Sequence, residues 1–329
     1  MQPLVSVLLP VYNGEAYVRG AIESVLAQDY PNFEFIIAEN ASTDGTAAII
    51  GEYSSDRRIR VLQNRVTVPR LENFVRVFDS AAKESRWLKF IGDDDRFLPG
   101  CLTEMVRVAK QSANVGLVSS YYYDGDRLVT GSLPPGQELA HGPQLLRQLL
   151  LEPETRATVF SPVTLMVSHK VYREMGGFRV DLLHADSELF HRILNRYDLA
   201  FVHKPLTVSG YHGGSGQAYS TERGFTFAEA YLIRYHNLKH YDNIKLTAGE
   251  VERIKSNLVK DSVGFMFARI AHGDFRAAFR HLAVIPAAAL YHLPLSLFYF
   301  VTLALKKFLR REPIRLFARK QQKKRPGRD

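Results

Sequence analysis

Asp93, Asp94 and Asp95 stand in a row at the end of an apolar run, Trp87-Leu88-Lys89-Phe90-Ile91-Gly92, and Pro99-Gly100 turns the chain shortly after. Three adjacent carboxylates repel one another unless something positive sits among them. Bulky and β-branched residues in a short apolar run read as a buried strand. At the carboxyl end of a parallel strand, such carboxylates can hold a hard divalent cation, and the cation can hold a diphosphate. The triplet by itself fits a solvated acidic turn better than a site. A second carboxylate, Asp186, falls in the first turn of a helix read over Leu183–Leu194. There it suits either a proton acceptor or a residue favoured by the helix dipole.

The elements that must position these groups follow from the pattern. Leu4–Val11 reads as a buried strand, Ala16–Gln28 as a helix and Phe33–Ala38 as a second strand. A helix capped by Ser42 or Thr43 runs to about Tyr53, Ile59–Leu62 is a third strand, and Pro69 opens a helix to Ala82 as its first residue. Cys101–Gln111 is helical and Val115–Tyr123 strand-like; beyond Gly142 come a helix at Pro143–Leu151 and strands at Pro162–Val167, Leu199–Val202 and Leu206–Tyr211. Strands alternating with helices at this spacing predict an α/β fold, a mostly parallel sheet with helices on both faces. Tyr12-Asn13, Glu39-Asn40 and the acidic triplet all fall at carboxyl ends of strands, where such sheets bind ligands.

Composition narrows the classes. The 329 residues carry a net charge of +9. The segment Lys306–Asp329 holds eleven Lys and Arg against Glu312 and Asp329, so the rest of the chain is neutral and shows no footprint for nucleic acid. One cysteine, Cys101, allows no internal disulfide, and Met1–Val7 lacks the features of a signal peptide.

Several segments together resemble the family 2 inverting glycosyltransferases of the GT-A (Rossmann-like) fold, over roughly the first 220 residues. They are Val5–Asn13, Ser42-Thr43-Asp44-Gly45-Thr46, Gly92-Asp93-Asp94-Asp95 with Leu98-Pro99-Gly100, Gly176-Gly177-Phe178, and Ala185-Asp186-Ser187-Glu188-Leu189. The resemblance implies that Pro10, Tyr12 and Asn13 meet the nucleotide of a nucleotide-sugar donor, UDP first among the candidates. Asn40 then contacts the base with Glu39 beside it, in place of two acidic residues. Asp94 is the principal ligand of Mn2+ or Mg2+, with Asp93 towards the ribose or metal, and Asp95 and His212 as further metal candidates. Gly92 and Ala185 stand where the family usually has Asp and Glu; Asp186 remains as the base.

The expected activity is transfer of a sugar to a hydroxyl of a glycan or lipid-linked acceptor in cell-surface polysaccharide synthesis. A nucleotidyl or phosphoryl transferase on the same fold, or a degenerate donor-binding scaffold, are the competing readings. The expected organisation is a glycosyltransferase domain over 1–221, split at 123/124 into donor and acceptor halves. A helical extension over 222–283 and a membrane-associating region over 284–329 follow. Leu282–Leu305 has no Asp, Glu, Lys or Arg, but Pro286, His292 and Pro294 interrupt it. With the basic tail, this predicts a peripheral or monotopic attachment to an anionic membrane, on the cytoplasmic face of the inner or plasma membrane.

Overall fold

The computed structural model describes residues 2–131, 133–152, 161–182, 184–210, 238 and 240–258. Strand β1 (Val5–Val11) is almost wholly buried, as its run of aliphatic residues requires of a central parallel strand. Helix α1 (Val18–Leu26) buries Val18, Ala21, Ile22 and Val25, one stripe at helical spacing. Then come β2 (Phe33–Glu39), α2 (Thr46–Gly51), β3 (Ile59–Gln63), α3 (Arg70–Asp79) and β4 (Trp87–Phe90), which leads into the acidic turn. Beyond it lie β5 (Arg96–Phe97), α4 (Cys101–Ala109), β6 (Val115–Asp124), β7 (Arg127–Val129), β8 (Leu139–Ala140) and α5 (Gly142–Leu151). A 3-10 turn (Pro162–Thr164), β9 (Met166–Ser168), α6 (His169–Glu174), α7 (Ala185–Leu194) and β10 (Asp198–Ser209) complete the described elements of this sheet and its helices.

The main path of the sheet runs β3-β2-β1-β4-β9-β6-β10-β5. Strands β1 to β4 are mutually parallel, with Val5 opposite Phe33 on one side and Trp87 on the other. Strand β6 is parallel to β10, whereas β9 runs antiparallel to both β4 and β6. The sheet is therefore mixed but mostly parallel. Its order reverses between β1 and β4, which opens a crevice beyond their carboxyl ends. One core, including Val7, Leu9, Ile22, Phe35, Leu102 and Met105, packs α1 and α4 onto the sheet.

Some expected elements shift. Pro69 is the N-cap of α3, extended at ψ 140°, and Arg70 is the first helical residue. The α2 helix starts at Thr46 after Gly45, and neither Ser42 nor Thr43 caps it. Pro162 opens a 3-10 turn instead of a strand; proline has no N–H for a ladder, and pairing begins at Met166. The two expected strands after Tyr197 are one, β10, because register shifts around Pro205 let the chain pass a proline without breaking the pairing.

Two compact units divide the chain: Met1–Glu222 with His236–Thr247, and Arg223–Tyr235 with Ala248–Asp329. In the second, residues 248–258 are helical. Among the described residues no helix is long and apolar enough to cross a membrane. Leu282–Leu305 and the basic tail lie outside the described residues, as does His212.

Candidate active site

The turns after β1 and β2 hold each other. Asn13 has a left-handed backbone, φ 52°, a conformation asparagine tolerates better than most residues. Its N–H donates to Ser42 Oγ at 3.0 Å, and its Oδ1 accepts from Thr43 N at 2.8 Å. Gly14 N donates to Thr46 Oγ1 at 2.9 Å and Glu15 N to Asp44 Oδ2 at 3.1 Å; Gly45 N returns a bond to Glu15 Oε2 at 3.0 Å. The Ser-Thr-Asp-Gly-Thr segment is thus a clasp for the β1 turn. Pro10 is the penultimate residue of β1, and Tyr12 stands 47% exposed beside the clasp.

Glu39 and Asn40 are buried, 1% and 3% exposed. The Glu39 carboxylate accepts from Ala41 N at 3.1 Å and Ser42 N at 2.7 Å, which secures the left-handed Ala41 (φ 53°). Asn40 Oδ1 accepts from Asn64 Nδ2 at 2.7 Å and Val68 N at 2.9 Å, while Asn40 Nδ2 donates to Val68 O at 2.9 Å. Asn64 also donates to Asn73 Oδ1 at 3.1 Å, and Asn73 to Ala38 O at 2.9 Å. These three asparagines tie the ends of β2 and β3 to α3. Among the described residues they leave one amide hydrogen of Asn40 for other use.

In the acidic turn the three carboxylates have different surroundings. Asp95 is buried, and its oxygens accept from Gly92 N at 2.9 Å and Gly210 N at 3.1 Å. Burial, reinforced by neighbouring Asp94, pushes its carboxyl up to about 7. Asp93 and Asp94 are half-buried. A side chain at Gly14 would collide with Asp93 Oδ2, so glycine keeps the approach to that oxygen open. A Cβ at Gly92 would lie 2.7 Å from Asp95 Oδ2 and 3.1 Å from Asp94 Oδ1. Glycine at this position leaves that space to the two carboxylates. Among the described residues no three His, Cys, Asp or Glu side chains converge on one point. Two half-buried carboxylates fit a hard cation that takes its remaining ligands from water and phosphate oxygens, the usual manner of Mg2+ beside a nucleotide. A thiol-seeking metal finds no partner here.

Behind the turn lies a cation that the apolar reading of Trp87–Ile91 passed over. Lys89 is fully buried; its Nζ donates to the carbonyls of Val163 and Leu165 and sits 4.9 Å from the Phe97 ring centre. Burial lowers its pKa to about 8, while Asp95 and Cys101 pull the other way. A lysine within a buried strand was the signal in the sequence.

Asp186 occupies the first turn of α7. Half-buried, it shares a narrow gap with Phe74, Phe78, Phe90, Phe178 and Phe190, so the strand that leads to the acidic turn lines the same gap. Burial holds its pKa above the ordinary carboxylate range, while the Ser187 N–H (2.8 Å), His184 and Arg70 pull it down. Glu188, two residues on and so turned to the opposite side of the helix, is buried against Arg192 and serves the structure. The tyrosines of β6 begin with Tyr121, whose hydroxyl pairs with His203 Nδ1 at 2.8 Å. Gly210, the last described residue before His212, donates its N–H to Asp95 Oδ1.

Residues 6–175 match the family model described as Glycosyl transferase family 2. The chain is similar to WfaP of Escherichia coli, a UDP-Glc:alpha-D-GlcNAc-diphosphoundecaprenol beta-1,3-glucosyltransferase. Identity is 26% over 144 residues, covering 43% of this chain and 55% of WfaP. The fold resembles that of S. aureus TarS 1–349 in complex with UDP-GlcNAc, with TM-score 0.60 and 15% identity over 88% of this chain and 83% of that one. It also resembles the mannosyltransferase PcManGT of Pyrobaculum calidifontis in complex with GDP-Man and Mn2+, with TM-score 0.57 and 16% identity over 94% and 81%. The first curated bacterial relatives it matches are spanned over between 55% and 67% of their own length.

Proposed function

From the premise that this chain belongs to glycosyl transferase family 2, we propose that it is a metal-dependent, inverting glycosyltransferase. It moves a sugar from a nucleoside-diphosphate sugar, UDP before GDP or dTDP, to a hydroxyl of a glycan or lipid-linked acceptor in cell-surface polysaccharide synthesis. The observation that carries this reading is Asp186: a half-buried carboxylate of raised pKa beside a phenylalanine-lined gap, which it shares with the strand that leads into the turn of Asp93 and Asp94. A nucleotidyl transfer gives that carboxylate no task.

On this reading Asp186 takes the proton of the acceptor hydroxyl as oxygen attacks the anomeric carbon from the side opposite the diphosphate, which inverts that centre. Its raised pKa makes it a stronger base than a solvated carboxylate. Asp93 and Asp94, with His212 and Asp95 as further candidates, would hold Mn2+ or Mg2+. The bound cation would offset charge on the departing diphosphate. Pro10, Tyr12 and Asn13 carry the nucleotide, and the remaining Asn40 amide hydrogen reads its base, with Glu39 bracing the loop. The hydrophobic segment and basic tail bring the enzyme to the cytoplasmic face of an anionic membrane, where a lipid-linked acceptor resides. A chain truncated after Ala283 that fractionates like the full chain without detergent would remove this last element.

The test is a panel of UDP-, GDP- and dTDP-sugars with Mn2+, scored for release of nucleoside diphosphate against pyrophosphate. Asp186→Asn should keep donor binding and lose about 10²–10⁴-fold in turnover. Pyrophosphate as the product, or unchanged turnover in Asp186→Asn, overturns the reading.

A further inference from the structure

The chain segment that brings Phe178 to the wall beside Asp186 is fastened to the helix of Asp186 by one side chain. Arg192 Nε and Nη2 donate to Glu188 Oε1 and Oε2, each at 2.8 Å. Nη2 also donates to Gly177 O at 2.7 Å, and Nη1 to Met175 O. The turn it grips needs two successive left-handed residues, Gly176 at φ 75° and Gly177 at φ 70°. Immediately after, Phe178 packs edge-on against Phe78 (centroids 4.8 Å apart) and Phe74 (5.0 Å), and Phe74 in turn lies 5.0 Å from Phe90. Phe178, Phe74 and Phe90 line the gap that holds Asp186.

We infer that Arg192 is a positioning residue for the base: it locks the Met175–Gly177 turn to helix α7 and so keeps Phe178 in place to exclude water from the Asp186 carboxylate. The inference rests on the reading of Asp186 as base. The clamp suits an arginine because its planar fork meets both oxygens of a carboxylate while further N–H groups reach carbonyls; a lysine cannot do both. Among the described residues, the titratable and charged groups that bear on Asp186 include His184, at the cap of its own helix, and Arg70, at the start of α3. Arg192 holds both Glu188 and the turn, and Arg192→Lys keeps the charge, so loosening this clamp acts on Asp186 through water at the wall. Water readmitted there stabilises the ionised carboxylate and weakens the base.

The experiment titrates Asp186 by its side-chain carboxyl 13C resonance, assigned as the signal missing from Asp186→Asn. It is paired with the pH–rate profile of nucleoside-diphosphate release from whichever donor sugar the panel identifies. Arg192→Lys should move both midpoints to lower pH and reduce kcat about 10-fold, with donor KM within about twofold of wild type. Glu188→Gln, which leaves an oxygen for Arg192, should shift the midpoints in the same direction by less. A purely structural role would lower thermal stability and leave the midpoints in place. That result in either folded variant overturns the inference while the base assignment stands. If Asp186→Asn itself leaves the pH–rate profile unchanged, the base assignment fails and this inference fails with it.

Discussion

Gly210 N donates to Asp95 Oδ1 at 3.1 Å, so the end of β10 is fixed to the acidic turn that follows β4. The contact is close enough that a Cβ at Gly210 would overlap the Asp94 carbonyl oxygen and stand 2.7 Å from its carbonyl carbon. These are backbone atoms and cannot rotate away. Gly210→Ala should therefore cost about 1–3 kcal/mol of stability and weaken Mn2+ binding. The fluorescence of Trp87, the single tryptophan and the first residue of β4, follows unfolding, and calorimetric titration follows Mn2+ binding. An alanine variant with wild-type unfolding and Mn2+ titration would show that the turn yields.

Asp94 and Asp95 should separate by mutation. Asp94→Ala is expected to abolish Mn2+-dependent release of nucleoside diphosphate with little change in folding. Asp95→Ala strands the N–H groups of Gly92 and Gly210 and should cost about 1–3 kcal/mol. Treatment with EDTA should silence the wild type, and added Mn2+ should restore it but not Asp94→Ala. If Asp95→Ala loses Mn2+ binding with stability intact, Asp95 is a ligand and not a brace.

Turnover should decline on the acid side. A general base works only when ionised, and the Asp186 pKa is held above the ordinary carboxylate range. The rate is expected to fall as pH drops through that raised value. The limb should disappear in Asp186→Asn, whatever residual rate remains. A limb that persists in the variant belongs to another group.

Lys89 gives stability a signature on the basic side. Its folded pKa of about 8 lies below the ordinary 10.5. Below pH 8 both states are protonated and the folded state bears the buried charge. As pH rises from about 8 to 10.5 the folded chain releases the proton while the unfolded chain keeps it. Unfolding free energy then gains up to about 1.4 kcal/mol per pH unit. This contribution is complete above 10.5 and gone once pH falls through 8. The difference in stability between wild type and Lys89→Met, measured by denaturant titration across this range, should trace that rise. A flat difference would mean that Lys89 titrates normally.

The sequence was legible where periodicity and turn chemistry agree. β1, α1, β2 and β4 lie close to where the apolar spacing puts them, and Tyr12-Asn13, Glu39-Asn40 and Asp93-Asp94-Asp95 do meet at one edge of the sheet. What could not be read depends on contacts between distant segments. Asn64 and Asn73 look like loop and helix-surface residues until Asn40 joins them. Lys89 goes unnoticed in an apolar strand until the carbonyls of Val163 and Leu165 come within its reach. Pro162 and Pro205 misled in opposite ways: one turned an expected strand into a 3-10 turn, and the other was absorbed by a bulge inside a strand. The antiparallel course of β9 has no local signature at all.

That three-residue strand has a mechanical consequence. β1 and β2 are laced by seven matched pairs, but β9 joins β4 through three and β6 through two. The sheet is two broad plates with a narrow neck. Asp93 and Asp94 ride on one plate, and α7 with Asp186 leaves the chain just beyond the neck. On the roles proposed for these residues, bending at this neck would change the spacing between leaving group and base. In hydrogen exchange the amides of Met166 and Val167 should open before those of Val7 or Ile36, although all four are buried.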